Sequence, residues 1–220
     1  MICGEGLRDK GYFGYTRKSM GRTKGAVVAL PPPRESGEVS VEQALAERRS
    51  RREFTQSSLS DEELSQLLWA AQGIVGADGG RTAPSAGGLY PLEIFVVRAD
   101  GLQRYLPEEH ALVEVRDDDL RPILWQEGLQ QDVLRDAPCV FLISAVFTRT
   151  RAKYSVSAER YVYIEAGHVA QNMLLQATAL GLGAVPIGAF DEELSGRLAL
   201  PDGELPIYFV AVGHRADQPA

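Results

Sequence analysis

The sequence predicts an α+β chain, one sheet covered by helices, and three observations lead there. Residues 138–147 hold the longest continuous apolar run, which reads as a central strand buried on both faces. Residues 158–182 form the longest helical pattern, with Val162, Ala166, Val169, Met173, Ala177 and Leu180 recurring at steps of three and four. Shorter β-rich runs around 93–98, 104–106, 111–115 and 207–212 supply the rest of a sheet.

Taken in order, the elements have local causes. Residues 1–37 carry six glycines ahead of Pro31-Pro32-Pro33 and no sustained periodicity, so they read as an extended or poorly ordered arm before a domain over 38–217. Ser40-Val41-Glu42-Gln43 and Ser60-Asp61-Glu62-Glu63 are capping-box sequences. The second opens a helix with Leu64, Leu67, Leu68 and Ala71 on one face, closed by Gly73. Residues 73–88, with six glycines and Pro84, read as a loop. Residues 104–106 and 111–115 form a hairpin around Pro107-Glu108-Glu109, and Asp117-Asp118-Asp119 places acids at the positive end of a following helix. The 158–182 helix is small and apolar on most faces, with Gly167, Ala170, Leu174 and Leu175 filling it out. A helix of that kind is buried on most faces, which suits a subunit interface. A short strand ending at Pro186 and a helix near 192–200 precede the last strand.

Composition excludes several classes. The 220 residues are 45% hydrophobic and 24% charged, which rules out collagen, disulfide-scaffold and wholly disordered chains. Acids outnumber bases 30 to 23, which speaks against a general nucleic-acid binder. The charge is uneven: residues 1–34 carry seven bases against two acids, the remainder 16 against 28. Cys3 and Cys139 give no disulfide framework, and Cys139 reads as a buried thiol. No stretch approaches a membrane span and no secretory apolar region precedes the domain, so a cytoplasmic protein is the expectation. Only four bases are lysine, and only Lys153 lies beyond residue 24.

Four segments carry chemistry. Arg48-Arg49-Ser50-Arg51-Arg52-Glu53-Phe54 crowds cations that call for an anion, beside a serine that both donates and accepts. Arg81-Thr82-Ala83-Pro84-Ser85-Ala86-Gly87-Gly88-Leu89-Tyr90-Pro91-Leu92-Glu93 combines small residues that let backbone approach a ligand with prolines that stiffen both ends. It is neither a hydrolase elbow nor a Walker loop. In 181–190 the glycines end a helix and Pro186 stands where a dinucleotide fingerprint needs glycine, so a Rossmann site is rejected. Lys153-Tyr154, placed in a loop after the central strand, could move protons, with Arg149, Arg151 and Arg160 as cations to favour the neutral lysine. Glu165-x-x-His168 has di-iron spacing but no second copy, and His110 and His214 complete no ligand set, so no metal is expected.

In this order the segments resemble the FMN-dependent nitroreductase family, most of all its SagB-type dehydrogenase branch, over about 40–213. Further marks are Leu67-Leu68-Trp69-Ala70-Ala71-Gln72-Gly73, Glu165-Ala166-Gly167-His168-Val169-Ala170-Gln171-Asn172, the 179–190 segment and Ala211-Val212-Gly213. The resemblance implies a nitroreductase-like fold with a mixed, mainly antiparallel sheet and the long helix at the interface of a homodimer holding two FMN molecules. Arg48, Arg49, Ser50 and Arg52 would meet the flavin's phosphate and pyrimidine edge, with Arg52 beside the reduced, anionic ring. Pro84, Ser85, Ala86, Gly87 and Leu89 would line the ring from the other subunit. Pro186, Ile187, Gly188 and Ala189 would face it near N5, Gln171 belongs to the same cofactor set, and Arg215 would reach the phosphate. The implied activity passes a hydride through N5, with NAD(P)H as an electron donor to nitro, quinone-like or other small organic acceptors. Lys153-Tyr154 is similar to the pair of the azoline oxidases, which implies a dehydrogenase or oxidase of an organic or peptide azoline as the alternative; a non-catalytic flavin-binding protein is the third.

Overall fold

The computed structural model describes residues 25–76, 78–191, 194–198 and 200–217. In chain order the elements are β1 (Val27–Ala29), α1 (Val41–Glu47), α2 (Asp61–Gln72), β2 (Ile74–Val75), β3 (Gly80–Arg81), β4 (Leu92–Arg98), β5 (Gly101–Leu106), β6 (Ala111–Arg116), α3 (Arg121–Glu127) and α4 (Asp132–Asp136). They continue with β7 (Cys139–Ala145), α5 (Phe147–Tyr154), α6 (Ala158–Ala179), β8 (Gly183–Ile187), α7 (Leu194–Leu198) and β9 (Leu205–Gly213). Seven strands make one sheet in the order β1-β6-β5-β4-β7-β9-β8, and each neighbouring pair runs antiparallel. The parallel component of the expected mixed sheet shrinks to a single bridge, Ser50 to Ala184.

Side-chain alternation divides the core into two layers. Ile94, Val96, Cys139, Phe141, Ile143, Val210 and Val212 pack with α2 and α6. Phe95, Val97, Val140, Leu142, Phe209 and Ala211 pack with α3, α4 and α7 on the other face. Helices on both faces explain why β7 is buried throughout and apolar from Cys139 to Ile143, since neither of its faces meets water. The Cys139 thiol is buried, which pushes its pKa up to about 12.

Both capping sequences start helices, with a difference. Ser60 accepts from the Glu63 N–H and Glu63 accepts from the Ser60 N–H, so that box closes. Ser40 caps Gln43, but the Gln43 side chain turns forward to Glu47 instead. The helix expected at Asp117–Asp119 begins at Arg121. Asp119 accepts from the Arg121 N–H and guanidinium, and Pro122 occupies the first turn. α6 ends in a Schellman motif: Gly181 has φ +74°, and the Leu182 N–H reaches the Ala177 carbonyl.

Two segments depart from expectation. The 73–88 loop contains the β2–β3 ribbon and a one-turn 3-10 helix at 86–88, too short to give a periodic signal. Within the expected arm, residues 1–24 lie outside the described residues, while β1 pairs with the open edge of β6. The Pro31 carbonyl accepts from Ser65 Oγ at 2.6 Å and lies 3.1 Å from His110 Nε2. Gln66 bonds both backbone groups of Arg34. No helix among the described residues is long and apolar enough to cross a membrane.

Ser60→Ala removes one half of the closed capping box and should lower stability by about 1 kcal/mol. The check is a urea titration, with a lower midpoint at an unchanged slope.

Candidate functional site

After α1 the chain runs extended along the start of β8 and the end of β9. The Arg51 N–H donates to the Ala184 carbonyl and the Thr55 N–H to the His214 carbonyl, both at 2.9 Å. Gly183 permits this approach. A Cβ there would lie 3.0 Å from the Phe54 ring, 3.1 Å from Arg51 Cβ and 3.3 Å from Arg215 Cγ. The arginine segment, the start of β8 at Gly183 and Ala184, and Arg215 are thereby gathered in one place, while residues 186–189 run on along β9 toward Tyr208. Pro186 fits because β8 is an edge strand. Beyond it, Gly188 packs beside the Tyr208 ring and the Ala189 carbonyl accepts from Gln131.

The cations of this cluster divide into two kinds. Arg51 and Arg215 both bond the Asp217 carboxylate, with three contacts of 3.0 Å. Hydrogen bonds from Arg215 hold Asp217 below the ordinary carboxylate range. Asp217 is a counter-charge that sequence neighbours of the cluster do not reveal. Arg49 folds back on the end of α1, donating to the carbonyls of Ala46 and Arg48. The side chains of Arg48 and Arg52 have no ion-pair or hydrogen-bond partner among the described residues. Ser50, Arg51, Arg52, Glu53 and Asp217 line a cavity of about 330 Å³.

A second cluster forms around Pro84, Ser85, Ala86, Gly87 and Leu89. Ser85 Oγ accepts from the Tyr90 N–H at 2.9 Å and the Ser85 carbonyl from the Gly88 N–H, closing a tight turn. Gly87 and Gly88 take φ of +66° and +65°. A Cβ on Gly87 would lie 2.8 Å from both Lys153 Nζ and the Tyr154 hydroxyl, so the glycine loop and the Lys-Tyr pair meet directly. The pair does not sit in a loop as the sequence suggests: it ends α5, which Ser155 stops at φ +47°. Tyr154 stacks edge-on against Tyr161 at 4.8 Å. The cations expected around Lys153 are largely engaged. Arg149 pairs with Glu93, Arg151 with Glu159, and Arg160 lies over the Tyr161 ring.

A buried polar network underlies this second cluster, and sequence spacing gives no sign of it. Glu93 bonds Arg149 at 2.5 Å and Arg104 at 2.9 Å, and Arg104, only 6% exposed, continues to Glu204 at 3.1 Å. Arg149 also donates to the Tyr90 carbonyl. Arg81 stacks over the Tyr90 ring and donates to Gln72. Asn172 ties α6 to the carbonyls of Ala70 and Thr82. Glu165 is 2% exposed, and burial pushes its pKa up to about 7 against the pull of Ser85, Gln72, Arg81 and Arg149. His168 is exposed and does not share that environment. Gln171 joins neither cluster; it stands on the open face of α6.

The two clusters occupy opposite ends of the sheet. Ala145, which leads into α5, pairs with Leu205 at the start of β9, whereas Gly183 pairs with Gly213 at its end. From 205 to 213 the strand covers about 26 Å at ~3.3 Å per residue. No hydrogen bond, ion pair or ring contact joins the two clusters among the described residues.

The raised pKa of Glu165 makes the stability of the fold depend on pH. Because its folded value lies above the unfolded one, its stabilising contribution is present at acid pH and is lost as pH rises through about 7. Wild type should therefore lose on the order of 3 kcal/mol relative to Glu165→Gln between pH 5 and pH 8.5. Urea unfolding of both proteins at the two pH values measures it.

Comparison with known proteins gives the family. A family model described as the nitroreductase family matches residues 45–214. A Methanocaldococcus jannaschii protein with a provisional nitroreductase name is 41% identical over 187 residues, 82% of this chain and 93% of its own length. A crystal structure from Ralstonia eutropha, also provisionally named a nitroreductase, superposes with a TM-score of 0.80 at 34% identity, covering 92% of this chain and 95% of that one. One from Desulfovibrio desulfuricans, in complex with FMN, gives 0.63 at 29% identity, covering 83% and 90%. With the fold, the arginine segment and the glycine loop all in place, the chain belongs to the nitroreductase family.

Proposed function

We propose that the protein is an FMN-dependent oxidoreductase acting as a homodimer, each cofactor held between the arginine cluster of one subunit and the glycine loop of the other. The carrying observation is the separation of the two clusters along β9: each has half of what a flavin nucleotide requires, and one chain keeps the halves at opposite sheet ends. α6 adds to it, since Tyr163 and Ile164 stand 56% and 48% exposed on the face away from the core, an apolar surface that a second copy would cover.

The residues fit the cofactor. Arg48 and Arg52 offer guanidinium groups without an acceptor among the described residues, Ser50 offers a hydroxyl, and the cavity lined by Ser50 and Arg52 has room for a phosphate. Pro186, Ile187, Gly188 and Ala189 lead from the arginine end along β9, with small residues where a ring would lie. In the other half, Gly87 and Gly88 leave flat backbone where side chains would obstruct stacking. FMN, when bound, supplies the hydride-carrying centre. The chain's own part is to hold the phosphate, to set a cation, Arg52, at the pyrimidine edge, and to keep a proton-moving pair, Lys153 and Tyr154, beside the loop. NAD(P)H as donor and a nitro, quinone-like or other small organic molecule as acceptor make up the leading reaction.

A second reading rests on the contact between Gly87 and the Lys153–Tyr154 pair. It is an oxidation of an azoline in a small molecule or peptide, in the manner of the SagB-type branch. Forming the aromatic azole removes one hydride and one proton from the ring; Lys153 is the group placed to take the proton from the ring carbon, assisted by the Tyr154 hydroxyl.

Mixing subunits tests the shared site. Arg48→Ala/Arg52→Ala and Gly87→Val homodimers should each bind FMN poorly. After mixing and subunit exchange, heterodimers regain one intact site, so flavin binding should return to about a quarter of the wild-type sites. No recovery in dimers shown to have exchanged would overturn the arrangement. Lys153→Ala separates the two reactions. If the azoline reading holds, it abolishes azoline oxidation while FMN binding stays intact; rapid bleaching of the bound flavin by NADPH in both proteins favours the reductase.

A further inference from the structure

Between the glycine loop and α6 lies a carboxyl for which the proposed function has no use. Glu165 sits on the buried stripe of α6 with Val162, Ala166 and Val169, and its Oε1 is buried without a hydrogen-bond partner. Gln72 Nε2, which faces it from α2, is likewise buried and unpartnered. The other donor facing it is Ser85. Ser85 in turn takes the Tyr90 N–H, closing the turn that sets Gly87 against Lys153 and Tyr154. A continuous chain of contacts therefore runs from Glu165 through Ser85 to the Lys-Tyr pair.

We propose that Glu165 is a positioning residue whose charge state, relayed through Ser85, sets how firmly the 84–90 turn is held against Lys153 and Tyr154. Ionised, the carboxylate has only lone pairs, and both facing donors, the Ser85 hydroxyl and the Gln72 amide, satisfy it; Ser85 is then fixed by a charge-assisted bond and keeps its lone pairs for Tyr90. Protonated, the acid must place its own hydrogen. Gln72 Oε1 already accepts from Arg81, so the acid's hydrogen goes to Ser85 Oγ, which then accepts from the acid beside the Tyr90 N–H and turns its own hydrogen away, trading the charge-assisted bond for a neutral one. The turn is tight in the first state and slack in the second.

The surroundings hold the two states close in energy. Burial opposes the charge, while Arg81 from β3 and Arg149 from α5 favour it. The nearby carboxylate Glu93 is saturated by Arg149 and Arg104, and His168, one turn along α6, is exposed. Lys153 and Tyr154 end α5, which packs against α6 through Tyr154 and Tyr161, and they meet the turn at Gly87. The balance falls near neutral pH, where the switch has an effect.

Hydrogen exchange tests this in the whole protein. Exchange of the peptide spanning 84–91 is followed at about pH 6 and about pH 8 and corrected for the intrinsic rate. Wild type should be roughly fivefold better protected at the higher pH, the difference between a neutral and a charge-assisted hydrogen bond. Glu165→Gln should show no such difference. Ser85→Ala, which keeps the carboxyl and removes the relay, should also lose it. A wild type without the difference, or either variant retaining it, overturns the proposal. It deepens the proposed function only where the turn meets a cofactor, and the two fail separately. Absence of FMN binding overturns the cofactor reading and leaves the exchange result standing, whereas FMN binding with pH-independent exchange overturns the role of Glu165 alone.

Discussion

Covering the sheet on both faces is the constraint from which the rest follows. With helices against each side, β4, β7 and β9 give their faces to apolar packing, and polar chemistry is left to the sheet's ends. One end collects the arginine segment, β8 and the last residues of β9. The other collects the glycine loop, the end of α5 and the Glu93–Arg104–Glu204 network. The strand length between them is set by the core, so the distance separating the two chemistries is a by-product of packing.

The two ends treat charge differently. At the arginine end exposed pairs such as Arg51–Asp217 are individually weak, and the side chains of Arg48 and Arg52 have no partner among the described residues. At the loop end Arg104 lies between two carboxylates inside the protein, where removing one partner leaves buried charge uncompensated. Buried ion pairs of that kind add little net stability, but they fix geometry. Here the geometry fixed is the approach of α5 to β4, through Arg149 to Glu93 and Tyr90. The exposed end is loosely paired; the buried end is locked.

Much of this was legible in the sequence where a signal was long or local. Leu64, Leu67, Leu68 and Ala71 gave α2, the uninterrupted run around Phe141 gave the two-sided burial of β7, and Val162 to Ala177 gave the inner stripe of α6. The arginine segment and the glycine loop were visible as motifs because crowded cations and runs of small residues leave a compositional mark. α5 was missed because Phe147-Thr148-Arg149-Thr150-Arg151-Ala152-Lys153-Tyr154 has no apolar period to read. β1 was missed because three residues cannot show alternation. The Glu93, Arg104, Glu204 and Asp217 partnerships were invisible for another reason: their members are far apart in the chain, and nothing local in an Arg or Glu says which distant charge it will meet.

Pairing at the margins of the sheet has a practical side. β6 is closed by β1, and the start of β8 is flanked by residues 50–55, so the chain uses its own segments to occupy hydrogen-bonding groups that another molecule could otherwise zip onto. The family-matched span, 45–214, contains only one of these covers. A version trimmed to that span would bare the β6 edge, discard the Ser65 and Gln66 anchors' partners at Pro31 and Arg34, and cut away Arg215 and Asp217. The boundaries that similarity draws are therefore narrower than the boundaries at which the sheet keeps its β6 edge covered.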